Sequence, residues 1–199
     1  MNQNKDLKTR IIEISRNLKL SHIGSCLSIL SLLDEIYAKK KVFDRVILDC
    51  AHAHLAHLIV RDNIIGDNIY SQSIIEEIIK DFGIHCDKKA GCDASGGSLG
   101  HGLGIGIGMA LVNRGKDIYC IVSDGSMQEG SNWEALRIKK QLRLKNLKIY
   151  CNFNGYTAIA KINRNNLVKQ MRVFCDDIEV RYTKNGKGFD GIQGHYRVL

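Results

Sequence analysis

The stretch "SDGSMQEGSNWEAL" (123–136) and the "FNG" at 153–155 hold the residues of this chain best suited to chemistry. Asp124 offers a carboxylate, Asn154 a side-chain carbonyl, and the turn after Asn154 a main-chain carbonyl. Hard oxygen donors of this kind suit Mg²⁺ or Ca²⁺, with waters or phosphate oxygens completing the shell. Gly125 lets the backbone turn sharply and approach a ligand closely. The apolar run "DIYCIVS" (117–123) leads into the first stretch, and "LKIYCNF" (147–153) leads into the second. Both read as buried strands, and in open parallel sheets ligands bind outside the carboxyl ends of the strands. Asp124 and Asn154 are 30 positions apart, yet such a layout can make them neighbours. The same residues also read as ordinary punctuation, Asp124 as a helix N-cap and Asn154-Gly155 as a plain turn.

The elements around them fit an α/β sheet flanked by helices. Leu7, Ile11, Ile14 and Leu18 fall on one helical face. Leu27 to Tyr37 predicts a second, strongly apolar helix, and "RVILD" (45–49) a short strand. "SQSIIEEIIKDFG" (71–83) predicts an amphipathic helix ended by Gly83. Residues 83–100 read as an irregular loop. "HGLGIGIGMALVNRG" reads as a helix despite glycines that lower its propensity. Ser131 to Leu144 has helical periodicity between the two strands, which argues for a right-handed parallel crossover. "IEVRYT" (178–183) predicts a further parallel strand. No Pro, repeat or low-complexity linker marks an internal boundary, so 1–199 reads as one domain.

Composition narrows the class. The chain has 199 residues, 44% hydrophobic and 25% charged, as in an ordinary globular protein. No apolar run approaches the roughly 20 residues of a membrane helix, and "MNQNKDLKTR" lacks a secretory h-region, so the expected location is cytoplasmic. Seven cysteines without paired CxxC spacing are expected as reduced thiols packed in the core. The net charge of +8 gathers in Arg137, Lys139, Lys140, Arg143, Lys145 and Lys148, and again in Arg181, Lys184 and Lys187. These read as solvated faces, and the aromatic interleaving of a single-strand nucleic-acid groove is absent.

Several segments taken together resemble the transketolase family of thiamine-diphosphate enzymes. "SDGSMQEGSNWEAL" with Asn154-Gly155 is similar to its cofactor motif, which begins Gly-Asp-Gly and ends in Asn; Ser123 replaces the first Gly. "QEGSNWEA" looks more like transketolase than like deoxyxylulose-phosphate synthase or the pyruvate dehydrogenases. "GGSLGHGLGIGIGMAL" (96–111) resembles the family's Gly-Ser-Leu-Gly-His-Gly loop and helix, and "SHIGSCLS" (21–28) its Gly-His-Pro-Gly-Ser segment. "CAHAHLAHL" (50–58) resembles the Lys-Gly-His-Ala segment, with His52 at its histidine. "GIHCD" (83–87) is a weaker match to Gly-Gly-His-Pro-Glu, and "TKNGKGF" (183–189) is similar to a Gly-Lys-Gly stretch near the end of the cofactor domain.

The resemblance implies a diphosphate-binding domain of the thiamine-diphosphate fold. Asp124 and Asn154 would ligand Mg²⁺ or Ca²⁺ by side chain, and Tyr156 by its main-chain carbonyl. Gly97, Ser98 and Leu99 would line the thiazolium and aminopyrimidine region, with Gly125 in the turn. His22, His52, His85 and His101 would surround the diphosphate and a sugar substrate as donors or proton-transfer groups. Glu129 matches a glutamate at the contact between paired domains. Transketolases also need a pyrimidine-binding domain that supplies an activating glutamate, and nothing in this sequence supplies it. The implied protein is the N-terminal subunit of a split transketolase, working in a heterotetramer with a pyrimidine-domain subunit and with neither nucleic acid nor membrane as partner. Between Asn154 and Thr183 the chain is shorter than the family's, as though a late helix or strand were lost.

Other readings compete at particular residues. His85 and His195 also read as exposed loop histidines, and His54 and His57 have no counterpart. "HAHLAH" (52–57) mimics the zinc motif of metallo-β-lactamase-fold hydrolases, but Ala56 takes the place of its Asp. A non-catalytic basic binding module is the remaining alternative. For assembly, two segments suggest an unpaired surface: the apolar positions Leu27, Ile29, Leu30, Leu32, Leu33 and Ile36, which also fit this domain's own core, and the small-residue ridge of "GLGIGIGMALV".

Overall fold

The computed structural model describes residues 3–65 and 71–199. Its strands are β1 (Arg45–Leu48), β2 (Ile118–Ser123), β3 (Leu147–Phe153) and β4 (Glu179–Tyr182), all parallel and side by side in that order. Helices α1 (Gln3–Asn17), α2 (Ile23–Lys39), α3 (His54–Ile65) and α4 (Gln72–Phe82) precede α5 (Gly102–Val112), α6 (Gly130–Leu142), α7 (Arg164–Phe174) and the short α8 (Gly191–His195).

Alternation along the strands builds a core on each face of the sheet. Val46, Leu48, Tyr119, Ile121 and Tyr150 pack toward α1–α4. Ile47, Cys120, Val122, Ile149 and Cys151 pack toward α5–α7. The central strands therefore read as continuous apolar runs, as two-sided burial requires.

Local rules explain most boundaries. Ser71 caps α4 by accepting a hydrogen bond from Ile74 N, and Gly83 ends it at φ 75°. The apolar stripe of α2 begins four residues before the predicted Leu27, at Ile23. Leu27, Ile29, Leu30, Leu32, Leu33 and Ile36 are all buried within this domain, so this segment is core and not an assembly surface. Helix α3 was not assigned from sequence. It is apolar nearly all round because α2 and α4 both cover it. Between β3 and β4 the structure supplies α7, capped by Asn163 accepting from Asn166 N, so the segment expected to lack an element holds a complete crossover.

Some members of the basic clusters are paired. Arg137 bonds Glu134, buried Lys139 reaches Asp177 at 2.7 Å, and Arg181 bonds Glu35 and Glu179. No helix among the described residues is long and apolar enough to cross a membrane.

Candidate functional site

The register between β2 and β3 puts Ser123 opposite Asn152, which brings Asp124 and Asn154 out of adjacent strand ends together. Asp124 is fully buried. Its Oδ2 accepts from Gly155 N at 2.6 Å, and its Oδ1 accepts from Gly125 N at 3.1 Å. Gly155 sits at φ 91°, so a residue with a Cβ could present that N–H only with strain. Asn154 Oδ1 accepts from Tyr156 N at 3.0 Å, which fixes the turn that follows. Asp124 is not a helix cap: a 3₁₀ turn (Ser126–Gln128) follows it, and α6 begins only at Gly130. Ser123, where the family motif has Gly, exchanges hydrogen bonds with Ser126. Ser123 N donates to Ser126 Oγ at 2.7 Å and Ser126 N donates to Ser123 Oγ at 3.0 Å.

Burial pushes the Asp124 carboxyl up to about 6, against the pull of its backbone hydrogen bonds from Gly155 and Gly125. Among the described residues it has no Lys or Arg within ion-pair range. A buried carboxylate without a cation beside it is costly. That is the arrangement a divalent ion relieves, and Asn154 and the Tyr156 carbonyl are oxygen donors in reach of the same turn.

Asp124 opens into a cleft of about 490 Å³. His22, His52, His85, Gly97, Leu99, Gly125, Glu129, Asn154 and Tyr156 line it with Asp124. Ser98 and His101 are not brought into it: Ser98 stays outside the lining, and His101 stands exposed at the start of α5. His195 and Tyr196 are brought in instead. The ring of His195 lies 4.5 Å from that of His22 and 6.0 Å from that of His52, and His22 to His52 is 5.0 Å. Sequence reading left His195 open as an exposed loop histidine; the structure half-buries it in the lining, because α8 carries it back from the far end of the chain against α2. There His22 N donates to the His195 carbonyl at 3.2 Å.

His22 holds a left-handed backbone, φ 62°, at the head of α2. Burial, with His195 and His85 adding, draws its ring down to about 4. Burial likewise draws His52 down to about 3, and lowers His195. At neutral pH these rings are uncharged, each with one N–H to donate and one nitrogen to accept. Among the described residues no Lys or Arg lines the cleft. An anion bound here can take hydrogen bonds from the imidazoles, and its countercharge has to come from outside the side chains of this lining.

A second buried carboxylate shapes the wall. Asp49, at the end of β1, accepts from Gly100 N at 3.1 Å, Gly102 N at 2.6 Å and Asn132 Nδ2 at 2.9 Å. It thereby ties the 97–102 loop to β1 and α6. A Cβ on Gly102 would stand 2.6 Å from Asp49 Cα, so this approach requires glycine. Sequence reading missed Asp49, although its place at the end of "RVILD" repeats that of Asp124. Asp49→Ala leaves three buried donors unpaired. The expected cost is about 3 kcal/mol, a fall of roughly 6–12 °C in Tm. A melt within about 2 °C of the wild type would contradict that role.

The hydrolase motif does not assemble. It requires the histidines of "HAHLAH" to converge, but His52 enters the cleft while His54 and His57 are buried elsewhere in the core. The parallel sheet is also a different architecture.

Comparison with known proteins agrees with this fold. A family model described as 1-deoxy-D-xylulose-5-phosphate synthase matches residues 2–177. An apulose-4-phosphate transketolase subunit from Phocaeicola vulgatus is 27% identical over 164 residues, covering 73% of this chain and 57% of that protein. Human transketolase is 39% identical over 82 residues, 39% of this chain and 12% of its own length. The crystal structure of transketolase from Campylobacter jejuni aligns over 97% of this chain and 39% of that one, with a TM-score of 0.78 and 19% identity, a likeness of fold. The chain spans less than two thirds of each of these proteins. The matching model carries the synthase's description, whereas the relatives just named are transketolases. The chain belongs to the family that unites 1-deoxy-D-xylulose-5-phosphate synthase with the transketolases, and corresponds to its N-terminal domain.

Proposed function

We propose that this chain is the diphosphate- and metal-binding subunit of a split transketolase-type enzyme. With a separate pyrimidine-domain subunit it transfers a two-carbon ketol unit between sugar phosphates or related sugars. The observation that carries this reading is Asp124, a buried carboxylate without a cation, beside Asn154 at the mouth of a cleft walled by uncharged imidazoles. Asp124 and Asn154 hold Mg²⁺ or Ca²⁺ by side chain and Tyr156 by its main-chain carbonyl. Gly97 and Leu99 border the cofactor rings, with Ser98 between them on the same loop but outside the lining. His22, His52, His85 and His195 orient and exchange protons with the substrate, and His101, exposed at the head of α5, faces the assembly side. When bound, thiamine diphosphate supplies the nucleophilic carbon and the electron sink that ketol transfer needs.

Two features support a partner. Gly104 and Gly108 are exposed on α5, four residues apart beside exposed Ile105, with nothing within 4 Å of a Cβ built on either glycine. Such a ridge lets another backbone approach closely. Glu129 is exposed at the cleft edge, where a facing domain can reach it. The relative from Phocaeicola vulgatus is itself named as a subunit. Two complete clefts need two copies of each subunit, and closed twofold symmetry is the common solution.

Thermal melts of chain, pyrimidine-domain subunit, thiamine diphosphate and Mg²⁺, singly and together, with light scattering for mass, test the reading. The full mixture should melt highest, at the mass of a heterotetramer. At a free cofactor concentration about 100 times the Kd the gain is roughly 2.7 kcal/mol, a shift of about 5–10 °C. A chain that gains nothing from any cognate partner would sink the split-enzyme reading.

A further inference from the structure

Helix α3 turns two histidines away from the cleft. His54 and His57 are three residues apart, hence on one helical face, and they are 0% and 2% exposed. They meet the loop between α4 and α5, whose Cys86 and Cys92 are 4% and 6% exposed. A ring nitrogen of His57 and the sulfurs of Cys86 and Cys92 all lie within 4.8 Å of one another. Cys92 Sγ is 3.7 Å from His57 Nδ1.

The far nitrogen of each ring is already engaged. His57 Nε2 is 2.6 Å from the Tyr37 hydroxyl. His54 Nδ1 is 3.4 Å from the Gly83 carbonyl, which can only accept, so Nδ1 carries the proton. A neutral His54 then has a lone pair on Nε2. That atom is buried and has no hydrogen-bond partner among the described residues. Buried polar atoms are satisfied in folded proteins, and an exception calls for a partner.

Packing alone accounts for the cysteines that touch no histidine ring. It does not account for two thiols and the His57 imidazole converging in an otherwise apolar core, with the idle Nε2 of buried His54 on the same helical face. Two sulfurs and two nitrogens are the donor set of tetrahedral zinc. Soft thiolates favour zinc over the hard cations suited to Asp124. Hydrogen bonds from the outer nitrogens, like those to Gly83 and Tyr37, are what orient metal-bound histidines. The loop is pre-formed: Cys92 N donates to the Asp87 carbonyl at 3.1 Å and Gly91 N to the Lys88 carbonyl at 3.0 Å.

We propose that Cys86, Cys92, His57 Nδ1 and His54 Nε2 bind a structural zinc ion that clamps the 84–100 loop to α3. None of the four lines the cleft. The clamp still bears on it, because His85 precedes Cys86 and Gly96 N donates to the Cys86 carbonyl at 2.9 Å. Zinc here fixes where His85 and Gly97 stand.

The test is metal analysis of the full chain produced with zinc supplied, followed by cobalt substitution. One zinc per chain should survive dialysis, and Co²⁺ should give the visible bands of a tetrahedral site with a thiolate charge-transfer band. Cys92→Ser should lose both the zinc and that band, while Asp124→Ala should keep them, which separates this site from the thiamine-diphosphate site. Because the cobalt spectrum is read on the unaltered chain, a Cys92→Ser variant that fails to fold does not remove the test. Absence of zinc and of tetrahedral cobalt from the unaltered chain would overturn the proposal, as would a Cys86–Cys92 disulfide in its place.

Discussion

Asp124→Asn is expected to stabilise the free chain while destroying its metal-dependent cofactor binding. Burial holds the folded carboxyl at about 6, whereas an unfolded one titrates near about 3.9. At pH 7 the ionised group therefore works against the fold, by about 2–3 kcal/mol on this difference. Asn keeps an oxygen to accept from Gly155 N and carries no charge; its Nδ2 cannot accept from Gly125 N, which offsets part of the gain, and its free chain should still melt higher. Between pH ~6 and ~4 the folded wild type binds more protons than the unfolded, so wild-type stability gains as pH falls through that window and the gap to the variant closes. The same substitution removes the one anionic ligand. Loss of affinity for thiamine diphosphate in Mg²⁺ should exceed about 100-fold, beyond what outer-shell partners of a metal command. A variant that melts lower than the wild type at every pH would show Asp124 to be a structural hydrogen-bond hub instead.

The second large effect is on turnover. A polypeptide of these 199 residues should show no ketol transfer by itself, and should acquire it on mixing with a pyrimidine-domain subunit. The cleft holds neutral histidines, the Asp124 turn and, at its exposed edge, Gln128 and Glu129. On the proposed function, the facing wall and the activating glutamate come from the partner subunit. The lining also lacks Lys and Arg among the described residues, so on the same proposal the cation for a sugar phosphate is expected on the partner. Steady turnover by the isolated chain, at a rate independent of added partner, would refute this.

Much of the architecture was legible because it follows from local rules. Two-sided burial makes β2 and β3 continuous apolar runs, and Ser71 and Gly83 bracket α4. The spacing of Asp124 and Asn154 carried the candidate site because one strand–helix–strand crossover separates them. What escaped depends on distant packing. Helix α3 has no amphipathic signature because it is covered on several sides. His195 reaches the cleft only through the docking of α8 on α2. Asp49 acts through three donors far along the chain, two in the 97–102 loop and one on α6. The apolar positions of α2 illustrate the converse. A helix with more than one apolar face can be an interface or a core element, and its contacts with α1 and α3 make it core here.

The most direct test of the central claim is a calorimetric titration of thiamine diphosphate into the chain assembled with its pyrimidine-domain subunit, in Mg²⁺ and in chelator, for wild type and Asp124→Asn. The account predicts saturable binding that requires Mg²⁺ in the wild type and is absent from the variant, although the variant's free chain is the more stable of the two. Equal affinity in wild type and variant, or binding indifferent to Mg²⁺, would contradict it.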